Sequence, residues 1–142
     1  MDKLDLDSDL MNKIINSMIC RVNHVPFPET CNLNKLIIAE ELRQQLIKIF
    51  EKIAQKYPHD LIPIIPELGV MICKLLTDTC PEVKIRLSEF LICLCNNEKL
   101  KKLIGVHSKG IVLSLCLNLK HSHNKIRKIT IAVNDSSLNY RL

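Results

Sequence analysis

Three stretches of the chain read alike: LRQQLIKIF at residues 42–50, VKIRLSEFL at 83–91 and IRKITIAV at 126–133. The second begins 41 residues after the first and the third 43 after the second. In the first, Leu42, Leu46, Ile49 and Phe50 are apolar, and Val83, Leu87, Phe90 and Leu91 take the same offsets in the second. The third supplies Ile126, Thr130 and Val133. Offsets of four, seven and eight mark one face of an α-helix. A basic residue follows the first apolar position each time: Arg43, Lys84 and Arg127. A period of roughly 40–47 residues is that of solenoid units built from two or three helices.

The register extends beyond these helices. Ile111, Leu115 and Leu119 lie 43 residues after Leu68, Ile72 and Leu76. The turn His121-Ser122-His123-Asn124 stands where Asp78-Thr79-Cys80-Pro81 stood. Each unit is therefore helix, short turn, helix, and the expected fold is an all-α solenoid of antiparallel helix pairs. The pairs are expected at about 10–57, 61–95 and 107–133, in one solenoid body covering 1–142.

Within the first pair, Asp9 can cap a helix over Leu10–Val22 whose apolar stripe is Leu10, Ile14, Met18 and Val22. Pro26 and Pro28 discourage helix across a connection from Asn23 to Asn34. A long helix over Leu36–Lys56 follows, with Leu42, Leu46, Ile49, Phe50 and Ile53 facing inward. Pro81 suits the first position of the fourth helix, where a missing N–H costs nothing, and Glu82 suits its positive end. That helix ends at Asn96-Asn97, and Lys99 to Ile104 reads as a short basic turn. After Val133 the chain reads Asn134-Asp135-Ser136-Ser137, so 134–142 is expected to be an irregular tail. The chain is on that ground expected to be a piece of a longer array. Ile129 and Val133 would then be exposed at an uncapped end, through which the chain could self-associate.

Composition agrees with helices packed on helices. Of the 142 residues 47% are hydrophobic, with only three Gly, two Tyr, three Phe and no Trp. Strands favour aromatic residues and their turns favour Gly. No run of about 18 uninterrupted apolar residues appears, so no membrane span is expected. Asp2, Asp5, Asp7 and Asp9 make the N-terminus acidic, where a secretory signal would be basic. Seven Cys is an odd number, and Cys73, Cys93, Cys95 and Cys116 fall inside helices, which suits reduced thiols in the cytosol or nucleus.

The net charge of +5 is unevenly spread, with residues 1–98 at −3 and residues 99–142 at +8. That asymmetry could steer an acidic partner, nucleic acid included, but the trimming of a solvated helix face is the favoured reading. The basic residues Lys99, Lys101, Lys102, Lys109, Lys120, Lys125, Arg127 and Lys128 have no stacking aromatics among them, which argues against single-stranded nucleic acid.

Chemistry-bearing constellations are thin. Cys93 and Cys95 point about 200° apart on a helix and cannot share one zinc ion. His121 and His123 could converge in their turn, but no second ligand pair accompanies them. No Gly-rich loop exists to build an oxyanion hole or cradle a phosphate. No catalytic, metal or cofactor residues are assigned. The candidate contact residues are those at turns and adjoining helix starts: Asp78, Glu82, His121, His123 and Lys125.

The phrases DTCPEVKIRLSEFLICL (78–94) and HSHNKIRKITIAV (121–133) resemble HEAT repeats, so the pairs are HEAT/armadillo-like. EELRQQLIKIF, LTDTCPEVKIRLSEF and LIGVHSKGIVLSLCLNLKHSHNKIRK, in that order, look like part of the HEAT-repeat dynein axonemal assembly factors. The likeness covers about residues 10 to 133 and rests on Glu40–Arg43, Pro81–Lys84 and His121–Arg127. It implies a cytoplasmic, non-enzymatic scaffold for preassembly of axonemal dynein arms. Dynein chains, other assembly factors and chaperones are its implied partners. A basic solenoid that binds nucleic acid or another acidic partner is the alternative.

Overall fold

The computed structural model describes residues 8–23 and 33–138, and every regular element in them is helical. Helix α1 spans Ser8–Asn23 and α2 spans Leu33–Lys56. A 3₁₀ segment, Pro58–Ile64, leads into α3 (Ile65–Leu76), and α4 covers Pro81–Cys95. Then come α5 (Glu98–Ile104), a 3₁₀ turn at Gly105–His107, α6 (Ser108–Leu119) and α7 (Asn124–Leu138). Helix α4 lies between α2 and α7 in one layer, and α3 packs on α1 and α6 in the other. The expected all-α solenoid of helix pairs is the fold observed.

Local chemistry sets the ends of these helices. Pro81 opens α4, and the backbone N–H groups of Asn96 and Asn97 close it on the carbonyls of Ile92 and Leu94. The side chain of Asn97 accepts from the N–H groups of Lys99 and Leu100, both at 3.1 Å. That N-cap turns Glu98–Ile104 into a helix, where the charge pattern alone suggested a basic turn.

The core is continuous across the pairs. Phe50, Leu61, Leu68, Met71, Ile72, Leu76, Val83, Leu87, Phe90 and Leu94 are fully buried. The rings of Phe50 and Phe90 meet at 6.2 Å, tilted by 38°, and tie α2 to α4.

The first pair buries Leu46, Phe50, Ile53 and Met18 as the spacing indicates, but the buried face is turned from the rest of the expected stripe. Leu42 and Ile49 are 45% and 44% exposed, while Leu46, Ile47, Phe50, Ile53 and Ala54 are buried. In α1 the buried residues are Ile15, Met18 and Ile19, and Leu10 and Ile14 are exposed. The reason lies in the stacking: α4 has a helix on both flanks, whereas α2 meets only α4 in its layer among the described residues. Leu42 borders an open groove with Ile14 and Met18 of α1. Asn23 is still helical, and the rest of the expected connection up to Asn32 lies outside the described residues.

The C-terminal helix does not break at Asn134. Helix α7 runs on through Asn134, Asp135 and the two serines to Leu138. Poor helix formers lower helix stability by only about 0.7 kcal/mol each at most, and a tertiary bond from Lys101 helps to offset that here. Ser136 Oγ donates to Ala132 O at 2.9 Å, and Lys101 Nζ donates to Ser136 O at 2.9 Å, a cation at the negative helix end. Val133, expected at an exposed end, is only 2% exposed, and Ile129 is half-buried. Residues 139–142 of the expected tail lie outside the described residues.

One stretch among the described residues, Glu98–Leu119, is long and apolar enough to cross a membrane. In the fold it is two helices divided by the turn at Gly105–His107. Its Leu100, Ile104, Ile111 and Leu115 are part of the common core.

Candidate interaction edge at the turns

The α3–α4 and α6–α7 turns hold all five candidate contact residues, so this edge of the solenoid is the candidate site. The period of 43 residues relates Asp78 to His121, Cys80 to His123, Glu82 to Lys125 and Lys84 to Arg127.

At the first turn, Asp78 is committed to the fold. Its Oδ1 accepts from Cys80 N–H at 2.9 Å and from Arg43 Nη2 at 3.2 Å, and Arg43 Nε lies 2.9 Å from Oδ2. Arg43 comes from α2, so the ion pair joins one helix pair to the next. Its side chain is 5% exposed against 11% for Asp78. Nε is close to the carboxylate without aligning as a hydrogen bond, and Nη1 has no acceptor. Glu82 is exposed and accepts from Cys80 Sγ at 3.4 Å.

At the second turn the backbone is held the same way with different chemistry. His121 Nδ1 accepts from His123 N–H at 3.0 Å, the role Asp78 Oδ1 plays toward Cys80. His121 therefore carries no proton on Nδ1. Partial burial, and then the charges of Lys84, His123 and Arg127, hold its imidazole below the ordinary value of 6.5. Arg127 Nη1 donates to the carbonyls of His121 and Ser122, both at 2.7 Å, so the third basic residue folds back on its own turn. His123 and Lys125 are exposed.

Lys84 occupies the position of Arg43 one unit later but forms no ion pair with a carboxylate among the described residues. Its Nζ donates to Asn118 Oδ1 at 3.2 Å, and Asn118 Nδ2 donates to Leu76 O at 3.1 Å. Asn118 is 2% exposed, and it carries the bond between the second and third pairs. Periodicity identified the basic positions Arg43, Lys84 and Arg127. Nothing in the pattern singled out Asn118, because its role depends on a lysine 34 residues away.

Four of the thiols share one electrostatic setting. Burial pushes Cys73, Cys80, Cys93 and Cys95 above the usual thiol value, so they stay protonated at neutral pH. No group of three or more His, Cys, Asp or Glu among the described residues is placed to hold a metal. The largely apolar cavity of about 330 Å³ between α4, α5, α6 and α7 has Leu91, Ile104, Ile111, Leu115 and Val133 in its walls and Lys101 and Lys102 at its rim.

Comparison with known families matches the chain to the profile of dynein axonemal assembly factor 5-like proteins, TPR repeats, over residues 3–140. No curated protein and no solved structure matches the chain. The family is described by TPR repeats, which are about 34 residues long, whereas units of 41 and 43 residues are nearer the HEAT and armadillo period. A match over nearly the whole chain places this repeat protein: it belongs to the dynein axonemal assembly factor 5-like family.

Proposed function

We propose that the chain is a non-enzymatic helical-repeat scaffold that works in the cytoplasm during preassembly of axonemal dynein arms. Dynein chains, other assembly factors and chaperones are its proposed partners. The family match across residues 3–140 carries this reading. The turn edge supports it in kind: it offers exposed polar and charged side chains, Glu82, His123 and Lys125, on a helical frame. A rigid frame with loop-borne contacts is the usual arrangement of a binding surface.

Affinity capture of the tagged chain from cells building motile cilia tests the proposal. Recovery of axonemal dynein heavy chains is the expected result. Recovery of ribonucleoprotein without dynein would overturn it in favour of a nucleic-acid-binding solenoid.

A further inference from the structure

Successive turns of this solenoid differ in charge at two matched positions, one carboxylate giving way to a neutral imidazole and the other to an ammonium group. Asp78 and Glu82 at the α3–α4 turn become His121 and Lys125 at the α6–α7 turn. The basic residues that face these turns from the preceding pair do not change sign: Arg43 faces the first and Lys84 the second. The first turn is therefore closed internally, with Arg43 against Asp78 at 2.9 Å. At the second, Lys84 bonds only the neutral carbonyl of Asn118, at 3.2 Å. The charged groups facing His121 are Lys84 from α4, His123 from the turn and Arg127 from α7, all basic. His123, Lys125 and Lys128 are exposed around them. The wider context has the same sign, since residues 99–142 carry a net charge of +8.

We infer that the α6–α7 turn is a binding site for an acidic segment of a partner protein, whose carboxylate sits between Lys84 and His121 as Asp78 sits against Arg43. The inference rests on the scaffold reading for the kind of partner. The choice of a carboxylate rests on the fold itself, because the same position one unit earlier holds one. A protein carboxylate is favoured over a nucleic-acid strand because no aromatic side chain lies in this turn to stack a base. Several exposed charge pairs acting together give a modest, salt-sensitive affinity.

The test is a titration of the isotope-labelled whole chain with a hexaglutamate peptide at low salt, followed by amide resonances. Saturable shifts are expected at Lys84 and across residues 118–128. Lys125→Glu, at an exposed position, should weaken binding by about fivefold or more. His121→Asp supplies the missing carboxylate from within and should abolish the shifts while the helical circular dichroism signal is kept. Binding by the His121→Asp variant at wild-type strength would overturn the inference. So would equal shifts from inorganic phosphate or a thymidine oligonucleotide of matched charge, which would mean unselective anion attraction. Failed dynein capture with an intact peptide titration would remove the dynein reading and leave this site standing. Successful capture with no peptide binding would remove the site alone.

Discussion

Arg43 of α2 and Asp78 of the α3–α4 turn form an ion pair at 2.9 Å, both side chains nearly buried, across the boundary between two helix pairs. The guanidinium has no acceptor for Nη1, so the carboxylate is what compensates its charge there. Removing one partner of a buried pair leaves the other charge uncompensated, whereas replacing both by apolar groups can be nearly neutral.

Asp78→Ala should therefore cost about 3 kcal/mol of stability, and Arg43→Met combined with Asp78→Ala should recover most of it. Urea unfolding of the single and double variants measures the difference. If the double variant were as unstable as the single, the buried-charge explanation would fail.

Exposure separates two residues that periodicity treats alike. Ile49 and Phe90 hold the same repeat offset, yet Ile49 is 44% exposed and Phe90 is 0% exposed. Phe90→Ala should cost about 3–5 kcal/mol, while Ile49→Ala should cost under about 1 kcal/mol. Similar losses at the two positions would show that the buried face of α2 is the one its spacing suggested.

Gly69 of α3 lies under the ring of His107. A Cβ on Gly69 would come within 2.4–2.7 Å of three of its ring atoms. Gly69→Ala should destabilise by about 1–3 kcal/mol through overpacking, and adding His107→Ala should relieve it. Thermal melts of the three variants give the answer; no rescue would mean that the ring is not what limits this approach.

The imidazole of His121 responds to pH in a defined direction. Its folded-state value is held below 6.5, so the unfolded chain takes up this proton more readily. The stabilisation is complete above about 6.5 and declines as pH falls through that value toward the lower folded-state one. Protonation at Nδ1 also removes the bond from His123 N–H. Urea midpoints measured across this window should drop toward acid, and the drop should be smaller in His121→Asn. An identical slope in that variant would assign the effect to other groups.

Much of the fold was legible because a buried repeat must recur. Leu68, Ile72 and Leu76 and their counterparts Ile111 and Leu115 could be aligned by offset alone, as could Val83, Leu87 and Ile126. The candidate turns were legible for the same reason. The apolar pattern of α2 misled because two of its faces are apolar, and hydrophobicity does not say which has a neighbour. Asn134 to Ser137 misled because local helix propensity is weak beside tertiary contacts such as Lys101 on the Ser136 carbonyl and the burial of Val133.

By itself the sequence determined the all-α repeat and the α3–α4 and α6–α7 turns, since these depend on spacings of three to four and about 42 residues along one chain. Only the tertiary structure decided which basic residue meets a carboxylate. Arg43 reaches Asp78 across 35 residues, while Lys84 must take Asn118 across 34, because stacking brings those groups together in space regardless of their separation in the chain.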